Sequence, residues 1–343
     1  MHIANIKSKL IASLALAAGA MTTGCTLVTD DLEPCPAQLR IKFVYDYNIK
    51  WGDAFAHEVS SVNVWAFEPG GGLVWSGSAS GEALATGDFY LETPLTDGRY
   101  DFVAWCGLQG SDAFDLATYT PASREELEVT MRTLEEEGRH VSRQRLSGLF
   151  HASMDDVGYE IDPVNPTLKT VTAPLMKDTK DFRVLLQHLD GSEIEDRDFT
   201  VCIEIPNNSE YAWDNTLLPS QTVSYLPWNV RYGQTSGSGG DSRAMTDVSS
   251  LLFELSTGRL MEGAKAVLTV HRNWDDRDII RIPLIEYLLL VKGHYGDISD
   301  QEYLDRQDEY TMTFFIDPNS NWYAAGGIYI NGWAVVPPQD QDF

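Results

Sequence analysis

The chain has 343 residues, with 51 acidic side chains against 25 lysines and arginines and a formal net charge of −26. This length accommodates about two domains with a sizeable core. So acidic a surface repels nucleic acids and anionic lipid headgroups, which argues against a nucleic-acid-binding protein. The 9 Trp, 15 Tyr and 13 Phe favour strands over helices, because aromatic residues pack well on pleated sheets.

The first residues have the pattern of a bacterial export signal. Lys7 and Lys9 make a short basic start, and residues 10–21 form an apolar run. A run of this length is too short to span a bilayer as a stable helix, and it is typical of a signal peptide. We predict that residues 1–24 are removed on export.

The residue after this signal is a candidate lipidation site. Small residues lead to Cys25, as in a bacterial lipobox, where the cysteine receives a diacylglyceryl group and becomes the mature N-terminus. The alternative is an ordinary secretory peptide that ends in a chance cysteine, since Thr22 stands where a lipobox usually has leucine. We favour lipidation at Cys25, and we expect residues 25–37 to form a lipidated tether.

Alternating apolar residues predict an N-terminal β-sandwich domain over residues 38–160. In the first strand, Leu39, Ile41 and Phe43 share one face, while charged residues occupy the other. Further strand candidates in this half are residues 61–67, 73–78, 89–95, 99–108 and 146–152. Two prolines in residues 157–166 place the domain boundary there.

A tight turn in this half has the pattern of a tyrosine corner. Leu95, Asp97, Gly98 and Tyr100 have the spacing of the β-sandwich corner whose phenol bonds back to nearby backbone. Residues 122–145 are less clear, because their acidic clusters fit a short helix and their alternation also fits a strand.

The second half, residues 161–343, predicts a C-terminal β-sandwich domain. Short strand patterns separated by turns recur through it, and only residues 282–290 and 297–306 have partly helical patterns. The strand candidates are residues 167–176, 181–191, 197–208, 250–257, 264–273, 278–284, 309–317 and 326–336. The fold class is therefore all-β, with two tandem sandwiches.

The last of these segments allows two interpretations. The apolar residues 328–336 could close their own domain or pair with a neighbouring subunit. We favour the closing strand, because an unpaired apolar strand is an aggregation hazard.

The sequence contains no recognisable catalytic, nucleotide-binding or metal-binding motif, so we predict no enzyme activity, no cofactor and no metal. Asp317, Asn319 and Asn321 begin like a calcium loop, but Trp322 stands where the loop needs glycine. We therefore interpret this stretch as a turn between two strands. Cys202 alternates with apolar residues in a strand and is expected to be inert.

Six stretches carry a family resemblance. They are TTGC (22–25), DDLEPCP (30–36), LRIKFVYDYNIKWGDAFAHEV (39–59), YDFVAWCGL (100–108), LLQHLDG (185–191) and QEYLDRQDEYTMTFFID (301–317). These stretches resemble the FimB-type fimbrial anchor lipoproteins of Gram-negative bacteria, and together they cover the chain from end to end.

The resemblance implies two tandem transthyretin-like (Ig-like) β-sandwich domains and a lipid on Cys25. It also implies a location at the outer membrane, at the base of a surface fimbrium. There the protein would hold the fimbrial shaft subunits to the cell and help to limit the length of the fimbrium.

Two other functions fit the same composition. A surface lipoprotein could bind glycan or a host ligand through exposed aromatic residues such as Trp51, Trp75 or Trp213. A shaft or tip subunit would instead be matured by trypsin-like cleavage in an early loop, for which Lys50 is the candidate site.

A disulfide between Cys35 and Cys106 is expected on positional grounds. Besides Cys25 the chain has three cysteines, an odd number for an oxidising compartment. Cys35 just precedes the first strand and Cys106 ends the strand that begins near Tyr100, whereas Cys202 lies in the other half.

The bridge should stabilise the fold by about 2–4 kcal/mol. Peptide mapping under non-reducing conditions should recover the Cys35 and Cys106 peptides as one linked species. Alkylation of either cysteine as a free thiol in the exported protein would contradict this pairing.

Overall fold

The computed structural model of the protein describes residues 38–161, 168–188, 192–235 and 248–335. The predicted signal peptide, Cys25 and the tether at 25–37 lie outside the described residues. Within the described ranges the protein is built mainly of β-strands, so the predicted all-β class is confirmed.

Most predicted runs of the first half are strands, but the run predicted at 146–152 is shifted, since its strand is Phe150–Tyr159. The strands are β1 (Gln38–Val44), β2 (Ser61–Phe67), β3 (Leu73–Ser80), β4 (Tyr90–Thr93), β5 (Gly98–Cys106), β6 (Phe114–Leu116), β7 (Val129–Met131), β8 (Leu134–Glu136), β9 (Arg139–Ser142) and β10 (Phe150–Tyr159). One short α-helix, α1 (Phe55–Glu58), follows β1.

The second half continues with strands and two further short helices. The strands are β11 (Leu168–Pro174), β12 (Met176–Lys177), β13 (Lys180–His188), β14 (Phe199–Ile205), β15 (Glu210–Tyr211), β16 (Val223–Tyr225), β17 (Asn229–Thr235), β18 (Val248–Thr257), β19 (Val267–Arg272), β20 (Arg277–Pro283), β21 (Glu309–Ile316), β22 (Ile328–Ile330) and β23 (Trp333–Val335). The helices, α2 (Leu284–Leu289) and α3 (Asp300–Arg306), lie in the two stretches with predicted helical character.

Two sheets enclose one hydrophobic core and form the first sheet pair. One has the strand order β11-β1-β4, and the other has the order β12-β10-β5-β2-β3. Leu39, Ile41 and Phe43 of β1 point into this core and are at most 1% exposed. The predicted alternation of the first strand is therefore confirmed.

Two six-stranded sheets enclose the larger core of the second sheet pair. Their orders are β17-β18-β13-β21-β22-β23 and β20-β19-β14-β16-β9-β8. A small sheet of order β15-β7-β6 packs beside them. Alternating residues of β13 and β21 fill this core, as period-2 patterning requires.

The strand pairing crosses the predicted boundary at residues 160/161 in both directions. β11 follows the boundary but pairs in parallel with β1, which places it in the first sheet pair. β9 and β7 precede the boundary but pair with β16 and β15 of the second half. The prolines that suggested a boundary lie between β10 and β11, which both belong to the first sheet pair.

The ambiguous acidic region forms three short strands and no α-helix. A single 3₁₀ turn spans Arg124–Glu126, and β7, β8 and β9 follow it. Leu127 and Val129 are fully buried in the second core. The helix does not extend beyond this turn. In β7, which follows it, buried and exposed residues alternate, and this pattern suits a strand with one buried face.

The sheet that contains β2 and β5 is covered on both faces. Its inner residues face the first core, while Trp65, Phe67, Val103 and Trp105 pack into the second core. All seven residues of β2 are consequently buried. The shared sheet explains why this run is almost continuously apolar, as in strands that are buried on both sides.

The C-terminal segment closes its own sheet within the described chain. β22 pairs with β21 and turns back into β23, so the favoured interpretation of residues 328–336 is confirmed up to residue 335. No helix in the described ranges is long and apolar enough to cross a bilayer.

The tyrosine corner is confirmed at atomic detail. The Tyr100 hydroxyl donates a hydrogen bond to the carbonyl of Thr96 at 2.9 Å, and it thereby fixes the turn that leads into β5.

We expect Tyr100→Phe to lower the free energy of unfolding by about 0.5–1.5 kcal/mol, because it removes this bond and keeps the ring. Tyr232→Phe is the matched control, since Tyr232 is half exposed at the edge strand β17. Urea denaturation measures both variants, and equal losses would argue against a structural role of the corner.

Candidate functional site

Two of the family-like stretches, residues 39–59 and 301–317, meet where the two sheet pairs join. The loop after β1 is shaped by Asn48, whose amide donates to the carbonyls of Tyr45 at 2.8 Å and Gly52 at 2.7 Å. The backbone N–H of Ile49 then donates to the carbonyl of Arg306 at 2.9 Å. This bond ties the first strand's loop to the end of α3.

The side chain of Arg306 fastens the same loop. Its guanidinium carbon lies 4.1 Å from the ring centroid of Tyr47 and 3.9 Å from that of Trp51. Its Nε also donates to Glu302 at 2.7 Å, one helical turn earlier. A cation held between two aromatic rings is attracted by the negative faces of both rings.

Lys177 forms the next layer of the junction. Its ammonium lies 2.8 Å from Glu58 of α1 and 3.1 Å from Asp308, which precedes β21. Burial lowers the pKa of Lys177, but the two carboxylates outweigh it and the net shift is upward. Tyr45 donates to Asp308 at 3.4 Å, and burial raises the pKa of its phenol well above the usual range.

A buried charge network forms the centre of the junction. Asp305 receives two bonds of 2.9 Å from Arg259, and Arg259 also donates to the carbonyl of Asn215 at 2.8 Å. The amide of Asn215 donates to Asp178 at 2.8 Å, and Lys180 donates to the carbonyl of Asp305 at 2.7 Å. Asp178 and Lys180 have no exposed surface.

Burial is the largest cause of the pKa shifts of Asp178 and Lys180 in this network. Burial raises the pKa of Asp178 to about 7, against the opposing field of Arg259. Burial also lowers the pKa of Lys180 to about 8, against the opposing field of Asp305. Both shifts follow from the cost of keeping a charge away from water.

A second contact between the sheet pairs is mainly aromatic. The Nε2 atom of His151 lies 2.8 Å from the carbonyl of Trp213, and its ring lies 4.6 Å from that of Trp105. Burial lowers the pKa of His151 to about 4, so the ring is neutral at pH 7. Arg124 covers Trp213, with 4.0 Å between the guanidinium carbon and the ring centroid.

The predicted cysteine sites lie largely outside the described ranges. Cys25 and Cys35 are not described, so lipidation and the Cys35–Cys106 disulfide stay predictions. Cys106 is fully buried at the end of β5, and burial raises the pKa of its thiol. Cys106 pairs with Phe150, whose ring meets Tyr45 just beyond the C-terminal end of β1.

The three tryptophans proposed for ligand binding lie in different surroundings. Trp51 is 58% exposed and contacts Arg306, whereas Trp75 packs against the first core. Trp213 lies beneath Arg124. Each ring already has a protein contact, and none of the contacts among the described residues joins the three into one platform.

The predicted calcium-like stretch is a turn, as expected. The carboxylate of Asp317 accepts hydrogen bonds from the backbone N–H groups of Asn319 and Asn321, both at 2.9 Å. In the part of the chain that the structure describes, no group of three or more His, Cys, Asp or Glu side chains could hold a metal ion.

Sequence reasoning missed the central network. Asp305 and Asp308 lie in a family-like stretch, but adjacent acids carry little information in so acidic a chain. Nothing in the local sequence marks Asp178, Asn215 or Arg259, which come from three distant connections. The junction has a structural role. Its cations are bound to carboxylates, carbonyls or aromatic rings of the protein itself.

The comparisons with known proteins identify a family. The model of the fimbrillin-A associated anchor proteins Mfa1 and Mfa2 matches residues 32–337, which confirms the fimbrial anchor family that the motifs predicted. No curated protein matches the chain.

Several solved structures share the fold. A candidate adhesin from Bacteroides thetaiotaomicron is 30% identical, with a TM-score of 0.75, over 89% of this chain and 99% of that chain. A candidate polysaccharide-binding protein from the same species is 27% identical, with a TM-score of 0.73, over 89% and 100% of the two chains. The fimbrial anchor protein Mfa2 from Porphyromonas gingivalis has the same fold, with 16% identity and a TM-score of 0.61 over 88% and 99% of the two chains.

Asp305→Asn should be strongly destabilising, because it leaves the buried guanidinium of Arg259 without a counter-charge. We expect a loss of about 3–5 kcal/mol in the free energy of unfolding. Glu302→Gln is the matched control, since the Glu302 side chain is 31% exposed and that of Asp305 only 5%. Its loss should be below about 1 kcal/mol. Urea titrations that give equal losses would show that the junction does not depend on this ion pair.

Proposed function

Because the chain belongs to the family of fimbrillin-A associated anchor proteins, we propose that it is an outer-membrane lipoprotein that holds the base of a surface fimbrium and limits its length. The family match over residues 32–337 is the observation that carries this proposal. Cys25, seven residues before the match begins, supplies the membrane attachment. The partners of the protein are then the fimbrial shaft subunits and the outer membrane.

The position of β1 supports an anchor over a subunit matured by proteolysis. Lys50 is exposed and lies after β1, whereas Cys25 lies before it. Cleavage after Lys50 would therefore separate the lipid from the folded chain and would also remove the buried strand β1. An anchor must keep this connection intact, and the bond between Ile49 and Arg306 holds the loop against α3.

A glycan-binding lipoprotein is the second candidate. The observation in its favour is the 27% identity to a structure described as a candidate polysaccharide-binding protein. The separate surroundings of Trp51, Trp75 and Trp213 give this candidate less support than the family match gives the anchor.

Cys25→Ala should leave both sheet pairs folded but release the protein from the membrane. Among the described residues the first buried side chain is Leu39, fourteen residues after Cys25, so we expect folding to proceed without Cys25. Each buried acyl methylene contributes about 0.8 kcal/mol to membrane binding, and the substitution removes all of them. Cys202→Ala is the control, because it changes a cysteine within the fold and leaves the lipidation site intact.

Cell fractionation and electron microscopy of cells that carry each variant give the result. The anchor predicts that Cys25→Ala cells shed fimbriae into the medium, and that these fimbriae are longer than normal. A glycan-binding lipoprotein predicts loss of the protein from the membrane with unchanged fimbriae. Cell-attached fimbriae of normal number and length would contradict the anchor.

A further inference from the structure

Asp178 and Asn215 each keep one buried oxygen without a hydrogen-bond partner. The atoms are Oδ2 of Asp178 and Oδ1 of Asn215, and both are shielded from solvent. The other halves of the two groups are joined, because Nδ2 of Asn215 donates to Oδ1 of Asp178 at 2.8 Å. The whole residues are 0% and 2% exposed.

Two buried acceptors on hydrogen-bonded neighbours are costly as long as neither group can donate to the other. An unsatisfied buried polar group costs about 1–3 kcal/mol. A protonated carboxyl group is a donor and an acceptor at once, and so is a carboxamide. One proton on Oδ2 of Asp178 could therefore be donated to Oδ1 of Asn215 and would satisfy both oxygens.

We propose that Asp178 is a neutral carboxylic acid in the folded protein and forms a two-bond acid–amide pair with Asn215. The proton comes from solvent as the pH falls and returns to solvent as the pH rises. The pair is a proton-controlled fastening between the two sheet pairs, and it does not depend on the proposed anchoring role.

The neighbouring cations are committed elsewhere. Arg259 directs its donors to Asp305 and to the carbonyl of Asn215. Lys180 directs its ammonium to the carbonyls of Asp305 at 2.7 Å and Lys177 at 3.3 Å. Neither cation donates to Asp178 among the described contacts.

The charged and titratable groups that interact with Asp178 lie on several elements of both sheet pairs. Burial is the main cause of its raised pKa and Asp305 adds to it, while Arg259, the bond from Asn215 and Lys180 oppose it. The surrounding groups are Lys180 at the start of β13, Arg259 after β18, Asp305 in α3, Tyr211 in β15 and Tyr45 after β1.

The position of Asp178 makes the pair a link between the sheet pairs. Its backbone N–H donates to the carbonyl of Leu149, directly before β10 of the first sheet pair. Its side chain reaches Asn215, between β15 and β16 of the second half. When the carboxyl ionises, the second bond of the pair is lost and a charge is left inside the junction.

The direction of the pH effect follows from the difference between the pKa of Asp178 in the folded and the unfolded protein. The pKa of Asp178 is about 7 in the folded protein against 3.8 for the exposed group. The unfolded chain therefore loses its proton first as the pH rises. The contribution of Asp178 to the folding equilibrium constant should fall by up to about tenfold per pH unit between roughly pH 4 and 7 and then level off.

The test compares Asp178→Asn with the unchanged full-length chain across pH 5 to 8. The introduced amide keeps a donor and an acceptor in the same places, so the variant mimics the neutral acid without titrating. We expect the unchanged chain to lose about fiftyfold in folding equilibrium constant, relative to this variant, between pH 5 and 7. Asp112→Asn, at an exposed turn, is the control and should run parallel to the unchanged chain. This comparison cancels the opposite pH effect of His151, which is present in all three proteins.

Two further measurements keep the proposal falsifiable if Asp178→Asn folds poorly. Infrared spectroscopy at pH 6 should show a protonated carboxyl band that is absent above pH 8. The exchange variant Asp178→Asn/Asn215→Asp should restore both the band and the pH dependence. A stability difference that does not change with pH, together with no protonated carboxyl band, would overturn the proposal and show that Asp178 is ionised.

Discussion

The buried ion pair between Arg259 and Asp305 is the interaction on which the rest of the junction depends. Neither charge could remain at this depth without the other, because an unpaired buried ion costs several kcal/mol. Once paired, Arg259 also positions the carbonyl of Asn215, and the end of α3 positions Arg306 against the loop after β1. One pair therefore fixes connections from three distant parts of the chain.

The sheet that contains β2 and β5 also connects the two sheet pairs, because it contributes residues to both hydrophobic cores. Trp65 and Trp105 face the second core, while the opposite faces of β2 and β5 line the first core. In the proposed role, force would pass from a lipid on Cys25 to the shaft. It would enter the fold through β1, which lies between β11 and β4. A strand pulled along its own axis loads many ladder hydrogen bonds together, so the arrangement suits a load-bearing role.

Local patterns predicted the features that depend on neighbouring residues. The alternation of Leu39, Ile41 and Phe43 gave the buried face of β1, and the spacing around Tyr100 gave the corner. The partners of the strands could not be predicted, because β1 and β11 are separated by more than a hundred residues and pairing is not encoded locally. The charge network could not be predicted from the sequence either, because the sequence of so acidic a chain does not indicate which carboxylates become buried.

The central claim is that this protein holds the base of a fimbrium, and its location on the cell tests the claim most directly. Immunogold electron microscopy with antibodies against the second sheet pair would show where the protein lies on intact fimbriae. The account predicts gold particles only at the cell-proximal end of each fimbrium. Labelling along the shaft or at the free tip would contradict it.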